Sequence, residues 1–442
     1  MNASAGPATA PPRGLLAQTV HTLSFMMAGQ VIAIIASVIY ARLLGPGGKG
    51  ILSYALTLLV FALTIADGIR AAIAYQIGTE GEPERRVFGA ALKVVGLLGV
   101  AGAAIFVGLI AVGPNRAVYP LVAVAFPIAL LVNSAMGFYF VRHRVEITNA
   151  IILAVSVVSS VGGALAVWLL HDPVSVIAVM ALADAVAAAY VMVGLRRLLG
   201  GGPIFGTPGL FERHLRFASH SAVASTLAFL ALRVDVFIVS AKLSAALLGI
   251  YTLALGSGEL MWQISRAAGT SAYGRIATAA RPESAALTAR LTRTILFIEF
   301  VVAVILFVFG PWLIELVYGA PFAEAGAVMR IALPGLVLYG GLTILAYFFS
   351  VKEGMPGFVV RIQLVSLVIC VGVTLATIGR FGIYGAAAAN SVAYTIAFAF
   401  TAVTFVRRTG VRPAELLVLR RGDLIAAWST VRARLRPSRT AA

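Results

Sequence analysis

Eight ionisable residues sit inside long apolar runs: Asp67, Arg70, Asp184, Arg233, Asp235, Glu259, Arg266 and Glu299. A charge at the centre of a membrane helix costs about 2.5–3.5 kcal/mol on insertion scales, so such residues face a wet interior or one another and mark a pathway. Three are arginines. A guanidinium group is always charged and offers paired N–H donors that match phosphate oxygens. Arg70, Arg266 and Arg233 are therefore candidates for the head group of an anionic substrate. The structural alternative for each is an ion pair. Asp67 and Arg70 are three apart and share a helix face. Glu259 and Arg266, seven apart, share one too. Arg233 and Asp235 are two apart, point to different sides, and each needs a partner elsewhere. Asp67 and Asp235 read as structural partners. Asp184, Glu259 and Glu299 fall near the membrane midplane at 1.5 Å per residue. They are candidates for binding the proton or Na⁺ that drives turnover, against carboxyls merely hydrogen-bonded to Ser or Thr. His21 and Gln30, in the first run, either line a cavity or serve helix packing.

The elements that carry these residues follow from composition. Of 442 residues, 60% are hydrophobic and 12% charged, where soluble domains carry roughly 25% charged residues. A span needs about 20 apolar residues. Twelve such runs are present, at 18–42, 50–77, 87–112, 117–140, 148–170, 174–197, 216–241, 247–272, 286–309, 326–349, 357–379 and 383–406. Only helices or closed barrels satisfy the backbone in lipid, and runs this long and rich in Ala and Leu are helices. Pro120, Pro127 and Pro334 are placed to kink them.

The net charge of +17 is distributed for a membrane and not for nucleic acid. With the N-terminus in the cytoplasm, 25 of the 34 Lys and Arg fall on inner segments or the inner ends of spans, six on outer segments or outer ends, and three (Arg70, Arg233 and Arg266) deeper within spans. This asymmetry predicts a multi-pass protein of the cytoplasmic membrane with both termini inside. The one cysteine, Cys370, leaves no disulfide or thiolate metal site within the chain. No nucleotide-binding segment or HExxH occurs and the histidines do not cluster, so neither a cofactor nor ATP hydrolysis is expected. Residues 1–17 read as a cytoplasmic segment without a cleavable signal. The tail, 407–442, has Leu424, Ile425, Trp428, Val431 and Leu435 at helical spacing among arginines. It reads as an amphipathic helix on the inner leaflet or as a frayed basic tail.

The chain also repeats itself. Leu44-Gly-Pro-Gly-Gly-Lys-Gly50-Ile51 lies 199 residues before Leu243-Ser-Ala-Ala-Leu-Leu-Gly249-Ile250. Each stretch ends one run and starts another at Gly-Ile. The offset suggests duplication into parallel halves, an N-terminal six-helix bundle at 18–197 and a C-terminal one at 216–406, joined by a cytoplasmic linker at 198–215. In that register Arg266 corresponds to Asp67, one turn from Arg70, so the two arginines are expected to face each other at similar depth and to hold a diphosphate from both sides.

Several stretches carry a family resemblance: Tyr40-Ala-Arg-Leu-Leu-Gly-Pro-Gly-Gly-Lys-Gly50, Leu232-Arg-Val-Asp235, Leu248-Gly-Ile-Tyr251, Gly310-Pro-Trp-Leu-Ile-Glu-Leu-Val-Tyr-Gly319 and Phe322-Ala-Glu-Ala-Gly-Ala-Val-Met-Arg330. With these the chain resembles the polysaccharide-repeat (O-antigen-type) flippases, which belong with the lipid II flippase and the multidrug extruders in one exporter superfamily. The resemblance spans about 15–406. It implies an all-α membrane protein, two six-helix bundles around a central cavity. It implies a polyprenyl-diphosphate-linked oligosaccharide as substrate, moved from the inner to the outer leaflet for cell-surface polysaccharide. Membrane lipids and other polysaccharide-assembly proteins are the expected partners. An ion-coupled drug or metabolite antiporter is the alternative of the same class, which three in-span arginines disfavour. A membrane enzyme of polysaccharide assembly would need a sizeable outer loop, and none exceeds about sixteen residues.

The basic asymmetry generates a labelling pattern. Gly47→Cys and Asp172→Cys should react with an impermeant thiol reagent added to intact cells, and Gly201→Cys should not. Labelling at 201 would overturn the twelve-span topology.

Overall fold

The computed structural model describes residues 15–114, 116–200, 204 and 208–419. The N-terminal segment before residue 15, part of the linker and the tail from 420, with its expected amphipathic helix, lie outside the described residues, as does the side chain of His21. Twelve α-helices follow in chain order: α1 Leu15–Gly78, α2 Glu84–Val112, α3 Tyr119–Val141, α4 Val145–Leu170, α5 Val174–Leu199, α6 Leu210–Lys242, α7 Ala245–Glu259, α8 Trp262–Thr278, α9 Arg281–Tyr318, α10 Glu324–Tyr347, α11 Pro356–Thr409 and the short α12 Pro413–Leu417. No strand occurs among the described residues.

Length decides how these helices cross a membrane. The 64 residues of α1 and the 54 of α11 reach about 96 and 81 Å at 1.5 Å per residue, against a hydrocarbon core of about 30 Å. Each is two crossings joined at a bend. The bends fall at Gly45 (φ 64°) and Gly382 (φ 55°), where a residue without Cβ takes a left-handed backbone at little cost. Helices α7 and α8 are one crossing bent by 41°. The break follows Gly256-Ser-Gly258, small residues that weaken a helix locally. Counted this way the helices make twelve crossings, six in each half of the chain.

By their contacts the helices form two compact units, Met1–Leu44 with Ala62–Ala222, and Gly45–Phe61 with Val223–Ala442. In the first unit, the second half of α1 packs along the start of α6. A Cβ on Gly68 would overlap the Ala218 carbonyl, Tyr75 stacks on Phe217 at 4.6 Å, and Gln76 meets His214 at 2.7 Å. At the same end Arg213 pairs with Glu80 and Glu82, and Arg142 with Glu84.

In the second unit the two copies of the sequence repeat meet. A Cβ on Gly50 would overlap the carbonyl of Ala245, and one on Gly249 would overlap the carbonyl of Pro46. Ser53 and Thr252 share a hydrogen bond of 3.0 Å. All three correspondences, Pro46 with Ala245, Gly50 with Gly249 and Ser53 with Thr252, carry the same offset of 199. The contact is reciprocal, as a local two-fold axis requires. At another end of this unit Glu353, in the α10–α11 connection, accepts from Arg281 at 2.8 Å and Arg408 at 3.4 Å. The Arg281 hydrogen bond holds the Glu353 carboxyl below the usual glutamate range. Its contribution to stability is therefore present above that range and lost as pH falls through the lowered value.

The reciprocal crossing should tolerate no side chain. Gly249→Val should destabilise the purified protein by about 1–3 kcal/mol, the range for overpacking, read as a lower melting temperature in detergent. Gly256→Ala, where no atom lies within 4 Å of an added Cβ, should not.

Candidate functional site

The charged residues of α6 find their partners on other helices of the second unit. Arg233 grips Glu259, the last residue of α7, through two parallel bonds of 2.7 and 2.5 Å. Such fork-to-fork pairs are the strong form of the interaction. The Arg233 side chain is 31% exposed and that of Glu259 12%. Asp235, fully buried, accepts from the Tyr251 hydroxyl and from Asn390 Nδ2 at 2.7 Å. Asn390 also lies 2.9 Å from the Tyr251 oxygen and 3.4 Å from Cys370 Sγ. This network ties α6, α7 and both halves of α11 together.

An aromatic group lies against these charges. The rings of Trp262, Tyr339 and Tyr394 are 4.5, 4.9 and 6.1 Å apart. Trp262 donates to the Leu336 carbonyl at 2.8 Å. Pro334 interrupts the ladder of α10 two residues earlier, and the single Ser391 hydroxyl donates there to the Ile331 carbonyl at 2.7 Å, with the Ala332 carbonyl at 3.1 Å.

Arg266 does not pair with Glu259. The break at Leu260 and Met261 resets the helix phase, so seven residues of spacing no longer put the two on one face, and Glu259 is taken by Arg233. Arg266 is exposed and has no hydrogen bond or ion pair among the described residues. Tyr339 lies within its electrostatic reach. Glu299 on α9 is fully buried, and neither carboxyl oxygen has a hydrogen-bond partner among the described residues. The space it fills is where a Cβ of Gly340 on α10 would sit. Ser265 of α8 lies beside it, but its hydroxyl donates to the Trp262 carbonyl at 3.0 Å.

The sequence matches the family of polysaccharide biosynthesis proteins over residues 15–273. The chain belongs to that family. No curated protein matches it significantly. Among solved structures, "Lipid II flippase MurJ, inward closed conformation" superposes with a TM-score of 0.72 at 10% identity, over 95% of this chain and 94% of that one. An inward-facing multidrug resistance MATE transporter of the MOP superfamily gives 0.66 at 16%, over 88% and 100%. The Vibrio cholerae MATE transporter VcmN gives 0.58 at 12%, over 90% and 98%. At these identities the likeness is one of fold: this family member has the helical architecture of the MOP exporters.

The remaining candidates of this polysaccharide biosynthesis protein lie in the first unit. Arg70 forms an ion pair with Asp67 one turn earlier and donates to the Asn133 carbonyl at 3.2 Å. The side chains are 30% and 45% exposed. Asp184 is half-buried on α5, with no hydrogen bond or ion pair among the described residues. Beside it a groove of about 660 Å³ runs between α4 and α5, lined by Ile151, Val155, Val158, Leu182 and Val186. Its apolar lining suits hydrocarbon, which a bilayer supplies. Tyr251, Asn390 and Gly340 were not singled out from sequence as site residues. Asn390 is a lone amide in an Ala-rich run, the one signal that could have marked it.

The Arg233–Glu259 pair makes a double-variant prediction. Glu259→Gln strands a part-buried guanidinium and should cost on the order of 1–3 kcal/mol of stability after allowing for solvent at Arg233, read as a lower melting temperature. Adding Arg233→Met should restore most of the loss. Equal damage in the single and double variants would show that the pair does not act as a unit.

Proposed function

We propose that this chain is a flippase that carries a polyprenyl-diphosphate-linked oligosaccharide from the inner to the outer leaflet of the cytoplasmic membrane for cell-surface polysaccharide. The observation that carries this reading is Arg266: a permanently charged donor on a membrane helix, exposed and without a protein partner among the described residues. An unpaired arginine at such depth is costly, and a phosphate oxygen would satisfy it. The family and the flippase fold agree with a lipid-linked substrate. Arg70 is proposed to assist from the first unit, its charge already shared with Asp67. Arg233, gripped by Glu259, is proposed to shape the site and to bind substrate only on exchanging that partner.

Turnover is proposed to draw on Glu299. Burying an ionised carboxylate without partners is prohibitive, so this packing holds the neutral acid. Releasing the proton then requires the α9–α10 contact at Gly340 to loosen. The coupling ion proposed is a proton or Na⁺, with Glu299 as the carboxyl that binds it. Asp184 and Glu259 are proposed as lesser contributors, Glu259 because its charge is neutralised by Arg233.

The test is surface polysaccharide measured beside membrane abundance. Arg266→Ala should abolish polysaccharide at normal abundance, and Arg266→Lys should restore it in part, since an ammonium keeps charge without paired donors. Glu299→Gln should keep substrate binding and stop gradient-driven transport. Normal polysaccharide in Arg266→Ala would overturn the head-group role. Loss of drug efflux with normal polysaccharide would favour an antiporter. If Arg70→Ala loses both protein and polysaccharide and Asp67→Asn restores them, Arg70 is structural.

A further inference from the structure

A basic cavity lies in the first unit, apart from the residues above. It has a volume of about 340 Å³ and is lined by Arg85, Phe88, Arg196, Leu199, Gly200 and Ile204. The share of one water in the liquid is about 30 Å³, so the space admits a group of many atoms. Its walls come from the first turns of α2, the last turn of α5 and the chain at Ile204. That chain lies directly on α2, because a Cβ on Gly89 would overlap the Ile204 carbonyl. Phe88 is buried and packs edge-on against Phe138 at 5.5 Å, which fixes the floor.

The charges at this site point one way. Arg85, which also interacts within the protein, and Arg196 reach it from different helices. Arg196 has no hydrogen bond or ion pair among the described residues. The nearby acids Glu80, Glu82 and Glu84 are already engaged by Arg213 and Arg142. No side chain caps the start of α2, so its positive end adds to the field. The carbonyl end of α5 contributes the opposite partial charge of roughly half a unit, which two full guanidinium charges outweigh. The cavity sits where apolar helices end in a basic rim, the level at which a bilayer places its phosphates.

We propose that this cavity binds the phosphate of an anionic membrane lipid, with Arg85 and Arg196 as paired donors and Phe88 and Leu199 against the glycerol and first methylenes. The site would be occupied whether or not the chain flips saccharides. The probe is phosphatidylglycerol in nanodiscs of phosphatidylcholine holding the full chain, with retained lipid measured by native mass spectrometry. Arg85→Gln with Arg196→Gln should lower retention of phosphatidylglycerol at least about tenfold more than the control pair Arg144→Gln with Arg197→Gln, which keeps the same net charge. Because a double variant can misfold, a second measurement uses the intact arginines: Leu199→Cys should be labelled more slowly in phosphatidylglycerol than in phosphatidylcholine. Equal loss in the two pairs, unchanged labelling, or displacement of the lipid by millimolar inorganic diphosphate would overturn the proposal; the last would identify a free-anion site instead. Transport assays play no part in these outcomes, so the flippase reading and this one fail separately.

Discussion

The structure depends on the cost of leaving a charge unanswered in hydrocarbon. Each in-span ionisable group meets that constraint differently. Arg233 and Glu259 neutralise each other through a two-pronged bond. Asp235 accepts from a hydroxyl and an amide on two other helices. Glu299 is buried beside Ser265 with neither carboxyl oxygen in hydrogen-bond geometry among the described residues. Arg266 is answered by nothing among the described residues. A paired charge stabilises one packing of the helices. The unpaired ones are the groups to which the proposed function gives a ligand or a proton.

The reciprocal crossing at Gly50 and Gly249 supplies the frame on which those partners meet. Helix backbones approach closely only where no Cβ intervenes, as small residues commonly allow in membranes. The crossing sets the start of α7 against the second half of α1. Tyr251, two residues beyond Gly249, thereby has a fixed position from which to reach Asp235. Seven residues further, α7 breaks, and Glu259 ends on the side of Arg233. Backbone contact, hydrogen-bond network and ion pair thus follow one another along fifteen residues of α7.

Much of this was legible in the sequence. The twelve runs of apolar residues correspond to the twelve crossings, because a span's length is fixed by the bilayer and needs no tertiary information. The match between Leu44–Ile51 and Leu243–Ile250 marked residues that proved to touch each other. The statement that Arg233 and Asp235 each required a partner on another helix followed from a spacing of two, and the partners are there. Their identities were not readable. Tyr251 and Asn390 are 139 residues apart, and nothing local joins them. Nor could the sequence show that Glu299 faces a glycine, since lipid-facing and buried sides of these helices are equally apolar and periodicity carries little signal.

The sequence left Arg266 open between a structural pair with Glu259 and a substrate role, and the structure does not form the pair. A spacing of seven places two residues on one face only while the helix continues. Two glycines and a serine just before Glu259 interrupt that continuity, and the bend of 41° hands the carboxylate to α6. The same break leaves the arginine of α8 apart from that acid. The glycine-rich segment therefore does more than bend a crossing: it places the Glu259 carboxylate in an interhelical ion pair with Arg233, and it leaves Arg266 as the unpaired arginine on which the proposed head-group role rests.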